Sequence, residues 1–303
     1  MTQRLPTPTR RNLGQTETDI TISPLAWGMW RSDGTTRDLA MLLAAALDTG
    51  IDFIDTADIY GFNGESGFGD VEGKLGEVLR ADRSLRQRMT LATKGGIMPP
   101  VPYDQSRGYM QSALEASLTR LGTDVIDLYL IHRPDILTHP QELAGFLDNA
   151  VASGKVRAIG VSNFTSAQIE ALASFLDTPL SATQPEISPL RIEPFDNGEM
   201  DQAMRLGLTP MAWSPLGGGR LMTAESERDR RVADVLGEMA EELSVDRAVA
   251  AYSWLMAHPA GIVPIIGSQK PERISDAAKA MQVSWTREQW YKIFTAARGA
   301  ALP

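Results

Sequence analysis

Four polar residues of different chemical types each follow a short apolar run at close range. They are Asp55, Tyr60, Lys94 and His132, in the strings FIDTADIYG (53–61), TLATKGG (90–96) and DLYLIHR (127–133). If these runs are strands of a parallel barrel, their carboxyl ends meet at one face, where such folds carry their chemistry. The sequence therefore predicts that a carboxylate, a phenol, an ammonium and an imidazole share one pocket.

Together these groups could protonate a developing alkoxide. A phenol with a pKa of about 10 is a weak donor at neutral pH, and a neighbouring ammonium lowers that pKa. We expect Lys94 to act on Tyr60 in this way, and Asp55 to hold Lys94 in place and keep it charged. His132 would donate a hydrogen bond to a carbonyl oxygen. The site would then combine acid catalysis with stabilisation of an oxyanion.

Each of the four residues alone is more simply explained as a helix cap, a surface tyrosine, a solvated lysine or a core histidine. The four together, with DTADIYG and LIHRPD intact around them, resemble the catalytic tetrad of the aldo-keto reductase family. The resemblance covers nearly the whole chain and looks closest to the bacterial YdhF-like branch. It implies reduction of aldehydes and ketones to alcohols by hydride transfer from NADPH, with Tyr60 as the general acid.

The resemblance also implies a nicotinamide site in the second half of the chain. Residues matching Ser162, Asn163 and Gln184 hold the carboxamide in the family, and an aromatic residue at Trp213 stacks on the ring. The string SPLGGG then follows a strand, and its backbone N–H groups would approach the pyrophosphate. The expected contacts there are Ser214, Pro215, Leu216, Gly217 and Gly219. On its own, GGG would be a plain flexible loop.

A second phosphate site is expected beyond the last strand. Gly267, Ser268, Lys270 and Arg273 match the family's site for the adenosine 2′-phosphate, at the start of a helix. Two positions depart from the family pattern. Gly267 stands where some members carry Lys, so Lys270 would take over that role, and Ala277 stands where an Asn often contacts adenine.

The substrate site is expected to be apolar. Trp30, Ile59, Phe62 and Met98 follow strand ends and would line a pocket for aliphatic or aromatic carbonyl compounds. Arg133 could meet an anionic substrate group, but pairing with Asp135 is the simpler interpretation. The chain ends at Pro303, four residues after its terminal helix, so we expect a wide pocket without a long closing loop.

Short strand-like runs alternate with amphipathic helical segments through the whole chain. Eight strands are predicted, at 23–30, 51–57, 89–94, 126–132, 156–162, 181–187, 209–215 and 262–268. Strict alternation implies parallel strands, and eight units close into a (β/α)8 barrel. We expect a single domain over residues 1–303, an N-terminal hairpin across the barrel bottom, and extra C-terminal helices that include one at 286–299. Asn163 and Thr165 are alternative N-caps for the helix that follows them.

Composition excludes several classes of function. A net charge of −9 argues against nucleic acid as a partner. The absence of cysteine excludes disulfides and thiolate metal sites, and three histidines show no metal-ligand spacing. Without a signal peptide or a long apolar run, we expect a cytoplasmic monomer that binds no membrane and no metal. The main alternative to an enzyme is an NADPH-binding regulatory module that reduces carbonyls only slowly.

Overall fold

The computed structural model describes residues 4–14 and 19–302 of the chain. Within these residues the strands are β1 (Arg11–Asn12), β2 (Thr21–Ile22), β3 (Ala26–Gly28), β4 (Phe53–Asp55), β5 (Thr90–Gly95), β6 (Ile97–Met98), β7 (Val101–Tyr103), β8 (Ile126–Ile131), β9 (Val156–Ser162), β10 (Ala182–Gln184), β11 (Thr209–Ala212) and β12 (Val263–Ile266). The α-helices are α1 (Thr36–Asp48), α2 (Asp70–Ala81), α3 (Ser84–Gln87), α4 (Arg107–Leu121), α5 (Pro140–Ala152), α6 (Ser166–Ala173), α7 (Glu199–Leu206), α8 (Arg220–Thr223), α9 (Glu227–Glu242), α10 (Arg247–Met256), α11 (Pro271–Ala277) and α12 (Arg287–Arg298). Single turns of 3₁₀ helix lie at Glu193–Phe195, Gly217–Gly219 and Ala278–Gln282.

Eight strands form a closed parallel barrel in the order β3, β4, β5, β8, β9, β10, β11 and β12, with β12 pairing back to β3. These are the eight strands predicted from the sequence, so the (β/α)8 fold is confirmed. Several are shorter than their apolar runs, because the chain leaves the sheet at the barrel mouth. Beyond β11, for example, Trp213 keeps only an isolated bridge to Glu186.

The apolar core has two layers. Inside the barrel, alternate strand residues such as Phe53, Leu128 and Met211 pack against one another. Between the barrel and its helices lies a larger layer, which buries the inward faces of α1, α2, α4, α5, α9 and α10. A strand that is covered on both faces needs apolar residues at successive positions. The barrel strands could therefore be predicted from continuous apolar runs rather than from an alternating apolar and polar pattern.

The N-terminal strands close the lower end of the barrel. β1 and β2 pair antiparallel, and Leu13, Ile20 and Ile22 are fully or almost fully buried within the inner core layer. The Gly14 backbone N–H donates to Thr209 Oγ1 at the first residue of β11. The predicted hairpin is therefore present, although its connection at 15–18 lies outside the described residues. The two-stranded sheet of β6 and β7, after β5, was not foreseen.

Candidate active site

The tetrad is held by the ends of three neighbouring strands. Asp55 is the last residue of β4, Lys94 lies near the end of β5, and His132 directly follows β8. The segment between Asp55 and Tyr60 is fixed along β5 by backbone bonds, from Thr56 N to the Ala92 oxygen (2.9 Å) and from Asp58 N to the Lys94 oxygen (3.1 Å). This attachment carries Tyr60 back over the end of β5.

Lys94 is the centre of the site. Its Nζ donates to Asp55 Oδ2 at 2.7 Å, to the Thr56 carbonyl at 2.8 Å and to Tyr60 Oη at 3.0 Å. The three bonds use all three ammonium protons. Because Lys94 is fully buried and Asp55 almost so, the ion pair lies in a medium of low dielectric constant.

Burial raises the pKa of the Tyr60 phenol, and the Lys94 charge lowers it only in part. We predicted that the ammonium would lower this pKa, but the cost of burying a phenolate outweighs its effect in the structure. Burial also acts to lower the pKa of Lys94, yet the Asp55 charge and the bond to Tyr60 leave it above its ordinary value. The resting pair is therefore a neutral phenol beside a charged ammonium.

His132 is a neutral imidazole in this site. Burial, together with the charges of Lys94 and Arg133, holds the pKa of His132 well below its usual range. Its ring meets the Tyr60 ring edge-on, with 5.8 Å between the ring centres. A neutral imidazole can donate from one ring nitrogen only, so it can serve as a hydrogen-bond donor but not as a second general acid.

A single cavity of about 900 Å³ opens over the tetrad at the carboxyl ends of the strands. The predicted residues that line it are Trp30, Asp55, Tyr60, His132, Ser162, Asn163, Gln184, Trp213, Ser214, Pro215, Leu216, Gly219, Gly267, Ser268 and Arg273. Lys94 lies beneath the cavity floor. The space is therefore continuous from the tetrad to α11, as an extended ligand would require.

The polar residues predicted for the carboxamide form one connected group. Asn163 donates through Nδ2 to Ser162 Oγ (2.8 Å) and to the His132 carbonyl (3.2 Å), and its Oδ1 accepts from Trp213 Nε1 at 3.0 Å. Ser162 Oγ donates to the Gln184 carbonyl at 2.9 Å. Asn163 has a φ of 60°, a left-handed conformation that Asn tolerates better than most residues.

The GGG string is a tight turn rather than a loose loop. Gly217, Gly218 and Gly219 all have positive φ, which residues with a side chain rarely adopt, and they lead directly into α8. Gly218 and Gly219 line the cavity, whereas Gly217 packs against Leu190 and does not. The lining therefore contains Gly219, as predicted, but Gly218 in place of Gly217.

At α11, Arg273 reaches the cavity but Lys270 does not. Lys270 is exposed outside the lining, so the role that we expected it to take over from the missing lysine is not supported. Asp276 and Ala277 also line this end of the cavity. The helix begins with Pro271, which has no N–H to offer a ligand. Arg273 is the positively charged residue of α11 that lines the cavity.

Of the predicted substrate residues, only Trp30 lines the cavity, where 62 % of its surface stays exposed. Phe62 turns aside to contact Phe68, and Ile59 packs against the core beneath the loop. Met98 belongs to β6, which pairs with β7 away from the lining. The predicted apolar wall is therefore absent from this cavity at three of its four positions.

Arg133 also differs from its expected arrangement. Asp135 accepts from the backbone of Gln105 and Leu137 and from Thr138 Oγ1, and it forms no pair with Arg133. The Arg133 guanidinium instead lines the cavity, 5.9 Å from the centre of the Trp213 ring. Among the residues described in the structure it has no carboxylate partner, so its charge faces the ligand space.

Comparison with known proteins agrees with this geometry. A model of the aldo/keto reductase family matches residues 24–297. The chain is 62% identical to the 6-dehydroglucose reductase of Novosphingobium aromaticivorans, over 98% of both chains. It is 38% identical to the oxidoreductase YdhF of Escherichia coli, over 94% of this chain and 99% of that one.

The chain belongs to the aldo/keto reductase family. A crystal structure of a thermostable aldo-keto reductase with the inhibitor epalrestat superposes with a TM-score of 0.82, at 26% identity, covering 95% of this chain and 99% of the other. Membership of the family and similarity to its YdhF-like branch, both predicted from the motifs, are confirmed.

Several lining residues of this family member were missed by sequence reasoning. They are Gly28, Arg31, Gly218, Met222, Thr223, Asp246, Arg247, Ala248, Val249, Tyr252, Ile265 and Asp276. Four of them, at 246–249, lie at the start of α10, and Asp276 lies near the end of α11, where no local motif marks them. Within residues 4–14 and 19–302, no cluster of His, Cys, Asp and Glu is arranged to hold a metal ion. In the same part of the chain, no helix is long and apolar enough to cross a bilayer.

Proposed function

We propose that this protein reduces a carbonyl group to an alcohol with NADPH, and that Tyr60 is the general acid. The observation that carries the proposal is the Lys94 ammonium, which bonds to Tyr60 Oη and Asp55 at once beneath the cavity floor. Such a bridge fixes the position of the phenol and stabilises the phenolate left behind by proton transfer.

The residues of the chain would act in sequence on the carbonyl oxygen. Tyr60 and His132 place two hydrogen-bond donors at the cavity floor, which orient the carbonyl and stabilise negative charge on its oxygen. Tyr60 then gives its proton to the alkoxide. The raised pKa of Tyr60 does not prevent this step, because an alcohol is a weaker acid than a phenol. NADPH, when bound, supplies the hydride.

The residues that line the cavity support the proposed nicotinamide dinucleotide. Gln184, Asn163 and Ser162 present amide and hydroxyl groups beside the tetrad, and Trp213 lies next to them. The turn at 217–219 brings backbone close to the same space, and Arg273 places a positive charge at its far end. A polar end beside the tetrad and a cationic end at α11 suit a carboxamide and a phosphate respectively.

For the substrate we propose a sugar aldehyde, with 6-dehydroglucose as the first candidate. A relative with 62% identity is named a 6-dehydroglucose reductase. The cavity also offers hydrogen-bond donors to a polyhydroxylated substrate, because Arg31 and Arg133 line it together with Trp30. Guanidinium groups donate hydrogen bonds to hydroxyls, and an exposed indole face packs against the C–H groups of a sugar ring.

The test is Tyr60→Phe, assayed by loss of NADPH absorbance with 6-dehydroglucose and with a simple apolar aldehyde. Loss of the acid should lower kcat by about 10² to 10⁴-fold, while the NADPH dissociation constant stays within about twofold. Wild-type turnover by the variant would exclude Tyr60 as the acid. Slow reduction of every carbonyl by wild-type protein that binds NADPH tightly would instead favour the regulatory module.

A further inference from the structure

Gln184 contacts the tetrad directly. Its side-chain Nε2 donates to Asp55 Oδ1 at 2.9 Å, while Asp55 Oδ2 accepts from Lys94 at 2.7 Å. Gln184 and Asp55 are both almost fully buried, yet both line the cavity. The Asp55 carboxylate is thus held at both oxygens, by an ammonium from β5 and by an amide from β10 on the other side of the barrel.

The contact completes a hydrogen-bonded chain that ends at the general acid. Gln184 Nε2 binds Asp55, Asp55 binds Lys94, and Lys94 binds Tyr60 Oη at 3.0 Å. No described donor bonds to the Oε1 of Gln184, and that atom is not among the fully buried, unsatisfied oxygens. The amide nitrogen of Gln184 therefore donates to Asp55, while its amide oxygen can accept a hydrogen bond from a ligand.

We propose that Gln184 is a positioning residue for proton transfer, in addition to contacting the cofactor. Its N–H fixes the Asp55 carboxylate, so that Asp55 holds Lys94 under Tyr60. Without this bond the Asp55 carboxylate could rotate and weaken the bridge that Lys94 makes between Asp55 and Tyr60. Its negative charge would then raise the pKa of the Tyr60 phenol further. The proposal rests on the function proposed above, since it concerns the proton that Tyr60 donates.

The local charges determine how a variant should behave. Asp55, Lys94 and Tyr60 form the chain, His132 lies against the Tyr60 ring, and the buried Asp58 acts electrostatically on Tyr60 and Lys94. Gln184→Glu would place a second carboxylate against Asp55. Two carboxylates in contact do not both ionise readily, so the introduced carboxylate would take up a proton and could then donate to Asp55 as the amide does.

The experiment compares Gln184→Glu with Gln184→Leu across pH. The leucine variant has no donor at any pH, and we expect its kcat to fall about 10- to 100-fold, the range for a hydrogen bond to a charged group. The glutamate variant should regain kcat as the pH falls, so the ratio of the two kcat values should rise by at least about tenfold. Gln184→Met serves as a second apolar variant if leucine impairs folding.

A second readout needs neither cofactor nor turnover. In the apo form of Gln184→Glu, the raised pKa of the introduced carboxyl would make the folded state bind more protons than the unfolded state. The Tm of this variant relative to Gln184→Leu should therefore fall as pH rises. Gln202→Leu is the control, because it removes another buried amide, which donates to the Ser166 carbonyl at 2.8 Å. It should leave kcat unchanged.

Two results would overturn the proposal. One is a Gln184→Leu enzyme with wild-type kcat at all pH values, which would show that the bond from Gln184 to Asp55 does not assist proton transfer. The other is a pair of variants whose kcat ratio and relative Tm do not change with pH. Neither result would affect the assignment of Tyr60, because the Tyr60→Phe experiment tests that assignment separately.

Discussion

The Lys94 ammonium makes as many hydrogen bonds as it can, because each of its three protons has an acceptor within 3.0 Å of Nζ. Replacing it with Met keeps the chain length but removes the charge that offsets the burial of Tyr60. We expect Lys94→Met to lower kcat by about 10² to 10⁴-fold, as Tyr60→Phe does. Because both residues serve one proton transfer, the double variant should be little worse than either single variant.

Steady-state kinetics of the two single variants and the double variant would check this prediction. A double variant whose loss equals the product of the single losses would show that Lys94 and Tyr60 act independently. The NADPH dissociation constant, followed by quenching of tryptophan fluorescence, serves as the control for folding.

Arg273 is the residue on which we base the preference for NADPH over NADH. It lines the cavity at α11, and no described carboxylate pairs with it. A charge-assisted bond to the 2′-phosphate contributes roughly 1.5–3 kcal/mol, which solvent exposure reduces. Arg273→Ala should therefore weaken NADPH binding about tenfold and leave NADH binding almost unchanged.

Lys270→Ala is the matched control, because Lys270 is exposed three residues earlier and outside the cavity lining. Fluorescence titration of both variants with NADPH and with NADH would show whether Arg273 is responsible for the preference for NADPH. Equal weakening of NADPH and NADH by Arg273→Ala would mean that Arg273 contacts a part common to both, or only supports the fold.

Sequence reasoning placed the tetrad well because the barrel brings strand ends together, whatever their separation in the chain. The same reasoning was wrong for side chains on loops, because a loop can direct a side chain either into the cavity or away from it. Ile59 and Phe62 follow β4 as expected, but the loop turns them away from the cavity, whereas Arg133 turns towards it. The direction of the Tyr60 pKa shift also depends on how deeply the phenol is buried, which the amino-acid sequence does not show.

At the scale of elements, α6 begins shortly after Ser162 and Asn163, two residues that we propose contact the cofactor, and it is fixed by a capping box. Thr165 Oγ1 accepts from Gln168 N, and the Gln168 side chain accepts from Thr165 N. Thr165→Ala should reduce the free energy of unfolding by about 1 kcal/mol. Of the two caps predicted from sequence, Thr165 is confirmed, and Asn163 instead binds Ser162, His132 and Trp213.

Thr286→Ala is a control for this prediction, since Thr286 forms the same capping box with Gln289 at the start of α12. Denaturant unfolding should show similar losses for both variants. If the position of α6 also supports Asn163, only Thr165→Ala should weaken NADPH binding. A Thr165→Ala protein with wild-type stability would show that the cap contributes nothing measurable.

The elements themselves were largely predictable. Buried parallel strands need uninterrupted apolar runs, and the eight runs became the eight barrel strands. The pairing of β6 with β7 could not be predicted in this way. Both strands are short, their residues are half-buried or exposed, and neither contains an apolar run. Contacts between remote elements, such as Gln184 of β10 with Asp55 of β4, follow only from barrel closure.

At the scale of the whole molecule, acid stability should depend on His258. Its ring packs 4.9 Å from the Phe195 ring, and burial lowers the pKa of His258 to about 4. The unfolded chain therefore binds more protons than the folded one between that value and about 6.5, so stability falls as pH decreases through this range. The loss attributable to His258 is up to about 3 kcal/mol.

His258→Asn should flatten this dependence, because an amide oxygen can still accept from Ala260 N, which binds His258 Nδ1 at 3.2 Å. Urea unfolding at pH 7.5 and pH 5 would measure the difference. His139→Asn removes an exposed histidine at the N-cap of α5 and is the matched control. An unchanged slope of stability against pH in His258→Asn would refute the assignment.

The N-terminal strands that fill the lower end of the barrel also constrain the order of events in a catalytic cycle. With Leu13, Ile20 and Ile22 packed into that end, the cofactor and the carbonyl compound that we propose would both enter by the upper mouth. A dinucleotide lying along the cavity floor could not leave past a seated substrate. We therefore expect compulsory-order kinetics, in which the alcohol departs first and NADP⁺ inhibits competitively against NADPH.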